Sequence, residues 1–566
     1  MQLLERLCEK GLLSEADIPR VADAQRANPE RPIHELLIEK GFVKEYPVLE
    51  TVAEVFGLEL VDLANRHVDA DTLAVMPTKL VHRKNLMPIE RNNGTLVVAT
   101  GDPFDVYSLD ELSTLTGLQV YPVLASPREI ARLIKHHYGV GGDTVAALVQ
   151  ERDEVELLEG IEADDSELAK QAQEASVVKL VNEILVEAAQ ERASDIHIEA
   201  EEKGLRIRYR IDGILQSQVL PPEIARFQSA IISRIKIMAR LNIAEKRLPQ
   251  DGRIKMRVQG REIDVRVSII PMIHGEGIVM RLLDKGRMVF NLANVGMLPD
   301  VYSTFKKLID RPHGIVLLTG PTGCGKSTTL YSALNEIKDE ATKIITVEDP
   351  VEYQQPGISQ IQVHPKIGLT FGHALRSILR HDPDVILIGE IRDLETGEMA
   401  IQASLTGLMD FSTLHTNDAP SAFTRLIDMG IEPFLVASTV EGVMAQRLVR
   451  TICPECKAEW DLPFDEIPPD FPGMDPVKRI APIIWHGTGC RACRQSGFRG
   501  RTGIHELMPT SDPIKEMVVQ RVNAGVIRNE ALKTGMRTLR QDGFKKAQSG
   551  ITTVDEVARV TAGDIS

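Results

Sequence analysis

The chain has 566 residues, 43% of them apolar and 26% charged, with a formal net charge of −15. At roughly 150 residues per domain this length predicts several domains, and such a composition buries cores instead of staying disordered. The acidic balance opposes non-specific attraction to phosphate backbones and anionic lipid, so nucleic acid is excluded as the main partner. No stretch approaches the roughly 18–20 uninterrupted apolar residues of a membrane-spanning helix, and the first thirty residues are too charged for a signal peptide; a cytoplasmic protein is expected.

Residues 1–60 carry apolar positions at helical spacing, and LCEKGLL (7–13) is echoed by LIEKGFV (37–43), a two-copy helical pattern. From about Val68 to Gly139 short strands and helices follow, with GTLVVATGDP (94–103) as strand and turn and SPREIARLIKHHYG (126–139) as a closing helix. An N-terminal region over 1–140 is therefore expected, helical over 1–65 and α/β over 66–140. Residues 151–168 hold nine acidic side chains and one arginine, which predicts a solvated acidic linker over 141–172. An amphipathic helix (176–193), a hairpin of strands (194–215), a long helix near 223–243 and strands to about Leu283 predict a mixed α/β middle domain, 173–287. In 288–566, strands GIVLLTG (314–320), KIITVED (343–349) and DVILIGEIRD (384–393) alternate with helices, the first running into a helix over 326–339, and imply a mostly parallel sheet. Pro-rich DLPFDEIPPDFPGMDP (461–476) reads as a surface loop.

Gly320-Pro321-Thr322-Gly323-Cys324-Gly325-Lys326-Ser327-Thr328 satisfies GxxxxGK[ST], after a strand and at the start of a helix. Glycines let successive backbone N–H groups face phosphate oxygens, Lys326 reaches the β/γ phosphates and Ser327 supplies a Mg²⁺ ligand. Two buried strands end in acids, Glu348–Asp349 and Glu390, as phosphoryl transfer to water requires for the metal and the attacking water. Glu390 is assigned to activate water and Glu348 to support or assist it; a helix N-cap or an ion pair with Arg392 is the plain alternative. His415 sits at a further strand end beside Thr413 and Thr416, either as a γ-phosphate or carboxylate sensor or in a structural role. Arg253, Arg266 and Arg281 are mostly expected to be solvated or ion-paired, yet one or two of them would serve as arginine fingers, because Lys326 is the only cation in the phosphate loop. Cys453-x2-Cys456 and Cys490-x2-Cys493, 33 residues apart, offer four thiolates to a closed structural Zn²⁺ site; a redox dithiol and an iron–sulfur cluster are the competing readings. Cys324 reads as a small neutral filler.

The set SDIHIE (194–199), RYRIDG (208–213), LPQDGR (248–253), GPTGCGKST (320–328), ITVEDPVEY (345–353), ILIGEIRD (386–393), STLHTND (412–418), the tetracysteine element and GRTGIHE (500–506) resembles the secretion superfamily of hexameric ATPases, and within it the PilB-like type IV pilus assembly ATPases. The resemblance covers about 172–566, with a weaker one over 1–140 to the N-terminal domains of pilus and type II secretion ATPases. It implies a RecA-like P-loop ATPase domain, a PAS-like middle domain, and a homo-hexameric ring with ATP, Mg²⁺ and structural Zn²⁺. It further implies a cytoplasmic motor at the inner face of the bacterial inner membrane that acts on a platform protein, with membrane association only through partners. Glu390 matches the Walker B glutamate, 345–353 the Asp box and 412–418 the His box, and Arg253 and Arg266 fall on the Arg-bearing middle-domain motifs. A type II secretion ATPase shares every one of these motifs. A retraction motor is disfavoured by the N-terminal region and the tetracysteine insert, a DNA translocase by the charge, and a nucleotide-gated scaffold by the intact Lys326, Ser327, Glu348 and Glu390. Three departures stand out: Cys324 replaces a usual serine; TGLMDF replaces TGHxV, placing Leu408 for the histidine and Asp410 inside an apolar strand; and neither copy of the N-terminal repeat has the RLG through which some similar N-terminal domains bind cyclic diguanylate, which leaves that ligand open but disfavoured.

Overall fold

The computed structural model describes residues 2–138 and 175–562, save 15–16, 28–32, 64–65, 67, 77–79, 82–83, 93, 103–104, 203, 221, 259, 285, 287–289 and 475–481. The chain divides into two compact units, Met1–Gly286 and Arg287–Ser566. The acidic linker predicted over 141–172 lies outside the described residues.

In the first unit the sequence echo is a structural repeat. α1 (Gln2–Glu9) and α3 (Ile33–Glu39), with α2 (Ile18–Ala27) between them in sequence, are each followed by a glycine in the left-handed region, φ +66° at Gly11 and +72° at Gly41. The chain then folds back in the same way twice, Leu12 N–H donating to Leu7 carbonyl at 2.9 Å and Phe42 N–H to Leu37 carbonyl at 3.0 Å. Glycine takes that backbone conformation without a Cβ penalty, so each EKG sets the same exit. Leu7, Leu13, Leu37 and Val43 pack with Val48 and Leu49 of α4 (Glu45–Phe56) in one core. After α5 (Ala70–Ala74) comes a three-stranded sheet of β1 (Met87–Asn92), β2 (Thr95–Thr100) and β3 (Gln119–Leu124). β2 and β3 are parallel, as a crossover through α6 (Val106–Thr116) requires, and α7 (Pro127–Tyr138) follows.

The remainder of this unit is a six-stranded antiparallel sheet in the order β6-β5-β4-β9-β8-β7. Its strands are β4 (Asp195–Glu201), β5 (Gly204–Ile211), β6 (Ile214–Ser217), β7 (Gln250–Val258), β8 (Arg261–Met272) and β9 (Gly275–Asp284). Alternation places Ile196, Ile198, Ile207, Val265, Val267 and Met280 in a core with residues of α8 (Ala175–Gln190) and α9 (Gln228–Met238). The long helix expected over 223–243 is shorter. A 3₁₀ turn (Pro222–Phe227) precedes α9, and the chain leaves the helix at Arg240, φ +58°. The apolar period misled because Leu241 still packs against this core, its N–H donating to Lys236 carbonyl at 2.8 Å to close the helix end.

The second unit is built on a seven-stranded sheet, β12-β11-β13-β14-β10-β15-β18. β10 (Gly314–Thr319), β11 (Ile344–Glu348), β12 (Ser359–Gln362), β13 (Val385–Ile388), β14 (Met409–Leu414) and β15 (Val440–Ile452) are parallel, and β18 (Phe498–Pro509) returns antiparallel on β15. Helices α10 (Pro299–Ile309) and α11 (Lys326–Ile337) contribute to the core on one face with Phe305 and Leu330. On the other face α12 (Phe371–Ile378), α13 (Leu394–Leu405), α14 (Pro420–Asp428) and α15 (Pro433–Thr439) supply Leu375, Ala400, Phe423 and Val436. A hairpin of β16 (Lys457–Trp460) and β17 (Ile484–Gly487) is inserted between β15 and β18. Four helices end the chain: α16 (Asp512–Val519), α17 (Ala524–Lys533), α18 (Leu539–Gln548) and α19 (Val554–Thr561). The Pro-rich stretch is not simply a surface loop: Ile467 and Phe471 are buried, Phe471 meets Phe544 of α18 edge-on at 5.2 Å, and Asp470 holds Arg540 through both guanidinium arms.

Asp410 is the second residue of β14, in register between Ile315 and Ile386, fully buried and with no hydrogen-bond partner at either carboxylate oxygen. Burial pushes its pKa well above the ordinary value. Because the folded state raises this pKa, the pH-dependent part of its cost is absent below the unfolded value near 3.9 and removes stability as pH rises toward the folded value. Asp410→Val is therefore expected to stabilise the protein by about 1–4 kcal/mol at pH 8, an advantage that shrinks toward pH 4. Denaturant unfolding of both forms across that range measures it, and a gap that does not vary with pH would refute the neutral buried acid.

Candidate functional site

The site stands where parallel strands end in loops, the crevice that open α/β sheets use for ligands. β10 runs into Gly320-Pro-Thr-Gly-Cys-Gly, where Gly320, Gly323 and Gly325 have φ of +143°, +81° and +92°. At Gly320 a Cβ would lie 2.6 Å from Gln446 carbonyl and 2.8 Å from Cys324 Sγ, so a side chain is excluded there by contact as well as by φ. α11 begins at Lys326 without a side-chain cap, leaving its first N–H groups directed to the loop, where the helix end favours anions. Lys326 Nζ donates to the carbonyls of Gly320 at 2.6 Å and Pro321 at 3.3 Å. Burial depresses the pKa of this ammonium, Arg447 adds repulsion, and Glu390 acts in the opposite sense. Cys324 is buried, and desolvation raises its thiol pKa, which fits an inert filler.

The acids at the strand ends differ. Glu390, after β13, takes Arg392 Nε at 2.8 Å on Oε2 and has His415 Nε2 at 3.2 Å from Oε1. The expected alternative, an ion pair with Arg392, is thus present together with the histidine, and Asp349 lies 3.8 Å from the same arginine. Glu348 is 5% exposed and fully engaged: Tyr331 donates to Oε2, while Thr346 at 2.6 Å and Gln360 at 3.1 Å donate to Oε1. Asp393, not Glu390, caps α13 through Thr396 N–H. Beside the phosphate loop, Thr319 hydroxyl contacts Thr416 hydroxyl at 2.8 Å and accepts Thr416 N–H at 2.7 Å, tying the end of β10 to the His415 loop.

Three residues escaped the sequence reading. Gln446 of β15 is buried, donates to Cys324 carbonyl at 2.9 Å and accepts Thr329 hydroxyl at 2.8 Å, bracing the loop from below. Arg447, next to it, donates to the carbonyls of Gln446 and Asn417. Glu506 of β18 accepts N–H from Ala419 at 2.8 Å and Leu539 at 3.3 Å, and burial raises its pKa to about 7. For Gln446 and Arg447 the sequence signal was a polar pair inside an apolar strand, and Glu506 closes the GRTGIHE motif quoted above without a role having been given to it.

In the first unit Arg253 and Arg266 are direct cross-strand partners, and the row continues through Arg281 and Asp195 to Arg210. Asp195 holds Arg281 at 3.0 Å and Arg210 at 3.7 Å. Cross-strand partners share a face, so four arginines and one carboxylate line up across one side of this sheet, with Arg253 and Arg281 exposed.

The four cysteines beyond β15 converge, their sulfurs all within 4.8 Å of one another. Cys453–Cys490, Cys456–Cys493 and Cys490–Cys493 each stand at 3.7 Å. Zinc–sulfur bonds of about 2.3 Å in a tetrahedron give sulfur–sulfur edges of about 3.8 Å, whereas a disulfide needs about 2.05 Å. Cys493 Sγ also accepts N–H from Cys490 at 3.2 Å and Gly497 at 3.3 Å, and despite burial its pKa lies at about 7. The donor set fits a closed four-thiolate ion.

The description "Type II/IV secretion system protein" matches residues 170–559. The chain belongs to this family of secretion ATPases. "MshEN domain" matches 56–144 of the same ATPase. The type IV pilus assembly ATPase PilB of Myxococcus xanthus is 42% identical over 100% of this chain and 99% of its own length. A type II secretion system protein E of Xanthomonas campestris is 44% identical over 99% and 98% respectively. The X-ray structure of the Legionella pneumophila ATPase DotB aligns with a TM-score of 0.50 at 21% identity, covering 68% of this chain and 95% of that one, a likeness of fold. The secretion ATPase thus has a RecA-like ATPase domain, and none of its described helices is long and apolar enough to cross a membrane.

Replacing Cys453 and Cys490 together by serine is expected to lower bound zinc by about one equivalent per chain and to destabilise the C-terminal unit, since closed sites supply folding free energy on the order of 10 kcal/mol. Metal analysis of the purified variant checks this; an unchanged zinc content would refute the ligand set.

Proposed function

We propose that this ATPase is a homo-hexameric motor at the inner face of the bacterial inner membrane that drives type IV pilus assembly through an inner-membrane platform protein. The observation that carries the reading is 42% identity to a pilus assembly ATPase over 100% of this chain, joined to a phosphate loop whose glycines, lysine and helix start are all in place. A second reading, the ATPase of a type II secretion system driving a pseudopilus, is favoured by the equally complete match to the Xanthomonas protein.

In both readings the backbone N–H groups of the loop and Lys326 hold the phosphates, with Thr328 in the same turn, and Ser327 would hold Mg²⁺, which neutralises charge on the phosphate oxygens when bound. Glu390 accepts the proton of the attacking water. His415 and Arg392 fix the orientation of its carboxylate. Glu348, saturated by Tyr331, Thr346 and Gln360, anchors the turn that carries Asp349 and supports the site without touching water. Arg253 and Arg266 are assigned as arginine fingers. The division that suits this cycle is 1–140, a linker over 141–172, a PAS-like domain over 173–287 and the ATPase domain over 288–566 with its zinc element at about 450–500.

Glu390→Gln is expected to keep MgATP binding while reducing phosphate release at least a hundredfold, as loss of a general base does. Turnover at the wild-type rate would remove Glu390 from this role. A deletion strain that lacks surface fibres but still exports proteins supports the pilus, and the reverse phenotype supports secretion.

A further inference from the structure

β15 is locked to β10 with Ala445 opposite Thr319, so Gln446 and Arg447 are the next two residues along, level with the first residues of the phosphate loop. Strand alternation sends their side chains to opposite faces. Gln446 goes inward as the brace already described. The Arg447 guanidinium lies over the start of the loop: Nη1 is 3.0 Å from the position a Cβ on Gly320 would take and donates to Gln446 carbonyl at 3.2 Å. Nη2 reaches Asn417 carbonyl, at 2.9 Å, in the loop that follows His415. The group therefore spans the two loops that border the phosphate position.

Its electrostatic situation differs from that of several arginines in this unit. Arg392, Arg450, Arg528, Arg537 and Arg540 each hold a carboxylate. Arg447 donates to neutral backbone carbonyls, and no carboxylate pairs with it among the described residues. It lies within the field of Lys326 and disfavours that ammonium's charge. Two neighbouring cations, one without a counter-charge, form a place that a polyanion stabilises. A planar guanidinium donating in two directions also matches phosphate oxygens better than an ammonium does.

Resting on the ATPase reading, we propose that Arg447 is a second phosphate-binding cation supplied by the same chain, which grips the nucleotide's phosphates alongside Lys326 and, through Asn417, couples their presence to the His415 loop. The arginines of the first unit are then not the sole source of positive charge beyond Lys326.

The test uses the full chain carrying Arg447→Gln, Arg447→Lys or Lys326→Ala, titrated with MgATP and with magnesium tripolyphosphate, which has the phosphates and no nucleoside. Arg447→Gln is expected to bind both about 10–100-fold more weakly, the range of losing hydrogen bonds to a charged partner, with KM raised and the nucleotide-free melting temperature unchanged. Arg447→Lys, which keeps the charge and loses the fork, should fall between. If Lys326→Ala loses binding while Arg447→Gln binds MgATP as the wild type does, the proposal is overturned and the phosphate-loop reading stands. Loss for MgATP without loss for tripolyphosphate also overturns it. Unaltered binding by Lys326→Ala would bring down the phosphate-loop reading itself. Should Arg447→Gln fail to fold, Arg447→Lys decides, wild-type affinity there counting against the proposal.

Discussion

A phosphate loop offers its ligand backbone N–H groups, and a backbone with few side chains has little to hold it in shape. The structure meets this constraint from the strand beside it. Gln446, out of water, fixes Cys324 carbonyl with one end and Thr329 hydroxyl with the other, so the crest of the loop and the first turn of α11 are tied to one side chain. Thr319 and Thr416 make the corresponding tie on the opposite flank. Between these two braces the glycines keep conformations that other residues reach only at a cost, and Lys326 has a defined place to stand.

The same economy holds further out. Glu506 collects the N–H groups of Ala419 and Leu539, and Asp418 pairs with Arg528 of α17. The loop that bears His415 is thereby fastened to the C-terminal helices at two points, both through carboxylates that would be expensive to bury alone. Asp410 is the counter-example, an acid in the central sheet with nothing to receive its charge.

The parts readable from sequence were those in which a few residues fix the local chemistry. The glycine pattern from Gly320 to Lys326, the CxxC pairs and the EKG exits at Gly11 and Gly41 state their geometry in their spacing. Buried strands such as β10 and β13 read as unbroken apolar runs. What stayed hidden depended on register. Arg447 becomes interesting only because β15 lies against β10, and the alignment of Arg253, Arg266 and Arg281 appears only once three strands are paired. The helix expected as far as 243 failed for a related reason: Leu241 satisfies the period of a helix from outside one. The Pro-rich stretch at 461–476 was misjudged because Ile467 and Phe471 are isolated apolar residues, and isolated residues carry no period.

β15 continues past the loop brace to Ile452 and hands directly to Cys453. From Arg447 to Cys453 is six residues, about 20 Å of extended chain, reinforced along its length by β18. A two-stranded ribbon of that kind resists stretching far more than it resists bending. The cysteine knuckle therefore works as the fixed end of a stay: a tug on one end is felt at the other as tension, and the metal-sized clasp keeps the anchorage from fraying.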